Sequence, residues 1–235
     1  MNQRKFDAVL FDWGGTLVTL DPSFPAMLEQ GLREAGLQVD RERLIACLVR
    51  GDQWIQELNA RGEWVGDQTY YQRVLAETGL DGDLPALARQ VQAVIVRDRH
   101  WELDPEAPAV LAKLRELDCR LAVVSNWDRD LAHRVAKMGV THYFEEIIAS
   151  GRVGTAKPER AIFELGLRAT GGRADRTLHV GDHPLADVRG AQAAGLSAVL
   201  LDRGERSHLT VPFDGSDGLP RITRLSEVLG LVVHS

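Results

Sequence analysis

The sequence predicts an α/β protein whose core is a doubly wound parallel sheet. Three short apolar runs, at residues 8–11, 121–124 and 178–180, each end in polar residues, and segments with helical periodicity lie between them. Continuous apolar runs of this length are typical of buried parallel strands. Strands that alternate with amphipathic helices are typical of a doubly wound sheet.

Local sequence patterns predict the first strand and the helix that precedes the second strand. Residues 8–11 (AVLF) end at Asp12, and a glycine-containing turn follows at residues 14–16. Apolar residues recur at helical spacing ahead of residues 121–124, which predicts an amphipathic helix. These apolar residues are Ala107, Val110, Leu111, Leu114 and Leu117.

The C-terminal half repeats the alternation. Residues 184–194 are predicted to form a helix that the following glycine ends. A fourth apolar run lies at residues 198–201, and residues 147–150 form a weaker strand candidate. After residue 204 many turn-forming residues predict a loop, and a last helix is predicted near Leu225–Leu229.

Residues 20–100 interrupt the alternation. The interval contains apolar residues at helical spacing but no strong strand run, and glycines divide it. We therefore predict a bundle of about four helices inserted after the first strand. The predicted domains are an α/β core of residues 1–19 and 101–235 and a helical domain of residues 20–100.

The composition argues against several classes of protein. The chain has 235 residues, a net charge of −6, 44% hydrophobic and 26% charged positions, as in ordinary globular proteins. No basic region suggests a nucleic-acid partner, and no apolar run approaches the roughly 18 residues of a membrane helix. The N-terminus does not resemble a signal peptide, and two cysteines make no disulfide framework, so we expect a cytoplasmic protein.

Polar residues follow three of the predicted strands. Asp12 follows the first, Ser125 and Asn126 follow the second, and Asp182 follows the third. In open α/β sheets ligands bind at the carboxyl ends of the strands. Two carboxylates brought together repel each other unless a cation or a shared proton lies between them. A hard divalent ion such as Mg²⁺ suits an all-oxygen site of this kind.

Four segments resemble the sequence motifs of the haloacid dehalogenase (HAD) superfamily. Residues 11–17 (FDWGGTL) resemble the first motif, Ser125 the second, Lys157-Pro158 the third, and residues 181–187 (GDHPLAD) the fourth. Their order, spacing and strand contexts agree with the family over nearly the whole chain. The resemblance implies a Rossmann-like core and identifies the helical insertion as the family's C1 cap domain.

The resemblance also implies the roles of the main site residues. Asp12 is expected to attack phosphorus and form an aspartyl-phosphate that water then hydrolyses. The expected Mg²⁺ ligands are the carboxylates of Asp12 and Asp182 and the backbone carbonyl of Gly14. Lys157 and Ser125 are expected to contact the phosphoryl oxygens.

Three further residues are expected to support the site. Asp187 is expected to bind a metal-ligated water or to orient Lys157, although an acid in a first helical turn is also favoured by the helix dipole. Thr16 and Asn126 are expected to contact the substrate.

One position departs from the family pattern. HAD phosphatases usually carry a second aspartate two residues after the nucleophile, where it serves as general acid and base, and this chain has Gly14 there. Such a group typically accelerates a reaction by roughly 10²–10⁴-fold. Water or His183 is a possible substitute, because the histidine pKa suits proton transfer near neutrality. A substrate with a good leaving group, or weak turnover, would also explain the glycine.

The resemblance predicts a HAD-like hydrolase, a Mg²⁺-dependent phosphatase of a small phosphorylated metabolite. One alternative is a catalytically weakened module that binds a ligand or a partner protein. Gly14 favours this alternative because it replaces the usual acid and base. Another is a metal-independent 2-haloacid dehalogenase, which the acids Asp182 and Asp187 disfavour. The family branch that forms a Schiff base needs a lysine in the cap, and residues 20–100 contain none. The sequence leaves the substrate and the oligomeric state open.

Overall fold

The computed structural model describes residues 4–59, 63, 65–204 and 218–233. The described chain divides into two compact units. The core unit contains residues 4–18, 103–203 and 218–233, and the helical unit contains the described part of 19–102 together with residue 204. The predicted loop after residue 204 lies largely outside the described residues, at 205–217.

The core unit is built on a six-stranded sheet whose pairings are all parallel. The sheet has the order β5-β4-β1-β6-β7-β8. Its strands are β1 (Ala8–Phe11), β4 (Arg120–Ser125), β5 (Glu146–Ala149), β6 (Thr177–Gly181), β7 (Ser197–Leu201) and β8 (Arg221–Ile222). The predicted parallel α/β fold is therefore confirmed. The two-residue β8 is too short to give a sequence signal.

Helices flank this sheet. They are α5 (Ala107–Glu116), α6 (Leu131–Lys137), α7 (Ser150–Val153), α8 (Arg160–Thr170), α9 (Gly190–Ala193) and α10 (Val228–Val232). The helix predicted at 184–194 begins as a π-helix over Pro184–Arg189 and continues as α9. A π-helical turn is wider than an α-helical turn and is frequent at functional sites. The helix predicted near 225–229 is a 3₁₀ turn, Leu225–Glu227, followed by α10.

The central strands β1 and β4 pack against α8 in an apolar cluster. Leu10 of β1, Ala122 and Val124 of β4, and Ile162 and Phe163 of α8 are completely buried in one cluster. This burial explains the continuous apolar runs of the sequence, because both faces of a central parallel strand are covered. A rigid central sheet gives the loops at the strand ends fixed positions.

The helical unit contains four helices, which share a second apolar cluster. They are α1 (Phe24–Glu34), α2 (Arg41–Asn59), α3 (Asp67–Glu77) and α4 (Leu84–Asp98). Two short strands, β2 (Val18–Asp21) and β3 (His100–Leu103), form a separate two-stranded sheet. The sequence did not predict these strands, because both are short and β3 alternates between exposed and half-buried residues. Among the described helices, none has the length and apolar character required to cross a bilayer.

Candidate active site

The sheet register brings the predicted site residues to one edge. Phe11 of β1 pairs with Val123 of β4 and with Val180 of β6. The chain therefore passes the same edge of the sheet at Asp12, Ser125 and Asp182. The Asp12 N–H donates to the Val180 carbonyl over 2.9 Å, which extends the sheet to the aspartate itself.

Three buried carboxylates meet at this edge. Asp12, Asp182 and Asp187 each offer an oxygen, and these oxygens lie within 4.8 Å of one another. The three residues are 6%, 8% and 1% exposed. A buried all-carboxylate cluster is a hard-oxygen donor set, and such sites suit Mg²⁺. The residues present therefore fit the ion that the sequence resemblance implies.

Lys157 supplies the positive charge of the cluster. Its Nζ lies 2.5 Å from Asp12 Oδ1 and 2.6 Å from Asp187 Oδ1, and the residue is 2% exposed. Lys157 thus contacts two of the three carboxylates directly. Removal of either partner from a buried ion pair strongly destabilises the folded protein, because the other charge stays buried without compensation.

Burial and the charge of Lys157 shift the pKa values of Asp12 and Asp187 in opposite directions. Burial raises the pKa of Asp12 above its ordinary value, and the lysine charge opposes this rise. Burial also acts to raise the pKa of Asp187, but the Lys157 charge and a hydrogen bond from His179 hold it well below its usual range. Burial acts to lower the pKa of Lys157, and the two carboxylates raise it overall. Asp187 and Lys157 therefore form a charged pair near neutral pH.

Two hydroxyl groups lie in the same region. Burial raises the pKa of Asp12, and a hydrogen bond from Ser125, at the end of β4, acts in the opposite direction. Thr16 is fully buried, and its Oγ1 has no hydrogen-bond partner among the described residues. A buried hydroxyl without a partner is costly in a folded protein. An oxygen-rich ligand would provide one.

Asn126 has partners that the sequence did not predict. Its Nδ2 donates to the Lys157 carbonyl over 2.8 Å, and its Oδ1 accepts the Lys157 N–H over 2.7 Å. The side-chain amide thus ties the end of β4 to the backbone that carries the lysine. These two bonds connect Asn126 to the segment that carries Lys157. The contact of Asn126 with a substrate stays a prediction.

His183 caps the π-helix. Its Nδ1 accepts the N–H groups of Leu185 and Ala186 over 3.1 and 3.0 Å. A side chain that accepts from the first turn satisfies backbone donors that the helix leaves open. Nδ1 must therefore be unprotonated, and any proton transfer by His183 would have to use Nε2.

Two glycines allow the carboxylates to approach the backbone. A Cβ on Gly15 would lie 1.9 Å from Asp182 Oδ2, and Gly15 also has a φ of +73°. A Cβ on Gly181 would lie 2.1 Å from Asp187 Cγ. The glycines of the first and fourth sequence motifs are therefore required by the positions of Asp182 and Asp187.

We expect Gly181→Ala to displace Asp187 and to lower the free energy of unfolding by about 1–3 kcal/mol, the usual cost of overpacking. Urea denaturation measures this change. Gly230→Ala is the matched control, because Gly230 lies in α10 with open space around it. Alanine there should raise stability by up to about 1 kcal/mol. Equal stabilities for Gly181→Ala and wild type would contradict the steric argument.

Arg203 holds the loop that follows Asp12. Its Nε and Nη2 donate to the carbonyls of Gly15 and Thr16 over 3.1 and 2.8 Å. Its Nη1 lies 2.5 Å from Asp104 Oδ2, and the Asp104 N–H donates to the Leu17 carbonyl over 2.9 Å. Three successive carbonyls of the loop are thereby bonded to the core. The sequence did not predict this role for Arg203.

The fold and the site define an α/β protein with three buried carboxylates and a buried lysine clustered at one edge of its parallel sheet. A family model described as "haloacid dehalogenase-like hydrolase" matches residues 6–195. The chain belongs to this haloacid dehalogenase-like hydrolase family, as the four motifs predicted.

Several known proteins are similar to this chain. A phosphoserine phosphatase of Thermus thermophilus is 37% identical over 63% of the chain, and the match spans 60% of that relative's length. A glyceraldehyde 3-phosphate phosphatase of Methanopyrus kandleri is 27% identical over 96% of each chain. The magnesium-bound structure of the putative HAD-hydrolase YfnB from Bacillus subtilis aligns with a TM-score of 0.67, at 20% identity, over 96% of this chain and 98% of that one. At that identity the structural likeness describes the fold.

Proposed function

We propose that this protein is a Mg²⁺-dependent phosphatase that acts on a small phosphorylated metabolite through an aspartyl-phosphate on Asp12. The observation that carries the proposal is the buried Lys157, bonded to Asp12 and Asp187 beside a third carboxylate, Asp182. The names of two relatives, phosphatases of phosphoserine and of glyceraldehyde 3-phosphate, support a phosphomonoester as the substrate class.

In the proposed first step, a carboxylate oxygen of Asp12 attacks phosphorus. A bond forms between this oxygen and phosphorus, and the bond from phosphorus to the leaving oxygen breaks. The leaving alkoxide takes a proton from water, because Gly14 has no acidic side chain. In the second step water attacks the aspartyl-phosphate, releases inorganic phosphate and restores the Asp12 carboxylate. Lys157, Ser125 and the Thr16 hydroxyl would bind the phosphoryl oxygens and stabilise the charge that develops on them.

Asp12, Asp182 and the carbonyl of Gly14 would hold Mg²⁺, and Asp187 would bind a metal-ligated water as well as Lys157. When bound, the ion would offset the repulsion between the Asp12 carboxylate and the substrate phosphate. The carboxylates of Asp12, Asp182 and Asp187 and the ammonium of Lys157 sum to a charge of −2, and one divalent cation would balance it. We further propose that the helical unit is the cap domain and that its side chains select the substrate.

A panel of phosphomonoesters tests the function. We expect release of inorganic phosphate from at least one member in the presence of Mg²⁺ and its loss after chelation. The absence of release from every member would instead favour the weakened binding module, for which Gly14 is the supporting observation. Halide release from a 2-haloacid that persists in the chelator would identify a dehalogenase.

We expect Gly14→Asp to raise the turnover of an aryl phosphate by about 10-fold or more, toward the 10²–10⁴-fold range of general acid–base catalysis. The new carboxyl group would protonate the leaving oxygen and then activate water. Gly14→Asn is the matched control, because it has the same size without a transferable proton. Steady-state kinetics compares the three proteins. Equal rates for the aspartate and asparagine variants would refute our account of the missing acid and base.

A further inference from the structure

His179 connects the interior of the sheet to the candidate site. The residue lies in the middle of β6 and is fully buried. Its Nε2 is 2.7 Å from Asp187 Oδ1, the oxygen that Lys157 Nζ also contacts at 2.6 Å. Lys157 in turn contacts Asp12. Four buried groups therefore form a continuous chain that ends at the proposed nucleophile.

The contacts determine which nitrogen of His179 carries a proton. An ionised carboxylate only accepts hydrogen bonds, so Nε2 must be the donor to Asp187. Nδ1 is buried and has no hydrogen-bond partner among the described residues. A proton on Nδ1 alone would point the Nε2 lone pair at the carboxylate and would bury a donor without an acceptor. Both effects are unfavourable, so the tautomer with hydrogen on Nε2 is preferred.

Packing fixes the plane of the imidazole. The ring of Phe163, from α8, meets it edge-on, with the ring centroids 5.2 Å apart and an interplanar angle of 89°. β6 lies between β1 and β7 in the sheet, so the strand itself cannot shift. The histidine is thus a rigid donor on a rigid element, which is the arrangement that orients a neighbouring charged group well.

Asp187 is held at both oxygens. Oδ1 accepts from His179 and Lys157, and Oδ2 accepts the backbone N–H of His183 over 3.0 Å. Lysine has a flexible four-carbon side chain and carries no directional fork of donors. The position of its ammonium group near Asp12 therefore depends on the carboxylates that it contacts. Without the His179 bond, Asp187 Oδ1 would keep, among the described residues, the contact with Lys157 alone.

We propose that His179 is a positioning residue, which donates from Nε2 to Asp187 and thereby sets the place of Lys157 beside Asp12. The expected effect of His179 on kcat rests on the proposed phosphatase function. The hydrogen bond from His179 Nε2 to Asp187 does not depend on that function. A single histidine within an apolar strand is usually a packed core residue, so the sequence alone gives little sign of this contact.

The hydrogen bond is tested first, without reference to activity. We expect ¹⁵N spectra of the histidine-labelled full chain to show a protonated Nε2 on His179, with His179→Gln used to assign the signal. An Nε2 without a proton would overturn the proposal. This measurement remains valid if no phosphatase activity is found, so the failure of the function and the failure of the proposal are distinguishable.

The kinetic test compares two variants of similar size. His179→Leu removes the donor, and we expect kcat for a phosphomonoester to fall by about 10–100-fold, the usual cost of losing a partner behind a site residue, with a much smaller change in KM. The amide Nε2 of His179→Gln can donate from nearly the same place as the imidazole Nε2, so this variant should recover most of the loss. Circular dichroism and thermal melting confirm that both variants fold.

A double-mutant cycle separates positioning from general packing. If His179 acts through Asp187, His179→Leu should have little further effect on kcat in an Asp187→Asn background. The same fold-loss in both backgrounds, or equal kcat for the leucine and glutamine variants, would show that the histidine acts only as a core residue and would overturn the proposal.

Discussion

Asp12→Asn is expected to lower kcat by at least about 10⁴-fold, because removing a nucleophile removes the covalent route entirely. The substitution should leave the protein folded. Asparagine has the shape of aspartate, and Lys157 keeps its contact with Asp187. Burial raises the pKa of Asp12, so the neutral amide replaces a carboxylate whose charge the protein interior disfavours.

Two measurements check this expectation. Steady-state release of phosphate gives kcat, and acid quenching after mixing with labelled substrate detects covalent phosphate on the wild type and none on the variant. Asp175→Asn is the matched control, since Asp175 is an exposed aspartate of the core unit, paired with Arg173. Phosphate release by Asp12→Asn at more than a few per cent of the wild-type rate would exclude Asp12 as the nucleophile.

Lys157→Met should lower both activity and stability. The loss of one fixed charge at the phosphoryl oxygens corresponds to about 10²–10³-fold in kcat. In the absence of metal, the variant leaves three carboxylates within 4.8 Å of one another without their cation. Removal of one partner from a buried ion pair costs about 3–5 kcal/mol of unfolding free energy.

The destabilisation should depend on pH in a definite direction. The pKa of Asp12 already lies above its ordinary value through burial, and without Lys157 it would rise further. A carboxyl group with a raised folded-state pKa gains stability as the pH falls toward that pKa. The stability difference between Lys157→Met and wild type should therefore shrink from neutral to mildly acidic pH.

Urea denaturation in a chelator, at several pH values, measures the difference. Lys113→Met is the control, because Lys113 is exposed and pairs only with Glu116 on the surface of α5, where ion pairs contribute about 0–1 kcal/mol. A pH-independent loss of stability in Lys157→Met would mean that packing rather than charge explains the effect.

Local patterns in the sequence were sufficient to predict the parallel sheet. The runs at residues 8–11, 121–124, 147–150, 178–180 and 198–201 all correspond to strands of the six-stranded sheet. Central parallel strands bury both faces and so produce continuous apolar runs. β2 and β3 are short and lie outside this sheet, so no comparable run marks them.

The position of the site was predictable for the same reason. Once β1, β4 and β6 are parallel neighbours, the residues that follow them must lie at one edge. The partners of those residues were not predictable, because they depend on tertiary distances. The contacts of Asn126 with Lys157 and of His179 with Asp187 join residues that are 31 and 8 positions apart. A histidine in an apolar strand three residues before Asp182 was the one available signal for the second contact.

Arg203 and the backbone N–H of Asp104 bond to the carbonyls of the loop that follows Asp12. The loop after Asp12 is fixed through the backbone of residues 15–17. These bonds to the loop involve no side chain at position 14. If an acid at position 14 serves as general acid and base, as we propose, one codon change could add or remove it while these backbone bonds remain available. On our proposal for position 14, the rate of catalysis could therefore change in evolution while the backbone bonds of the loop stay the same.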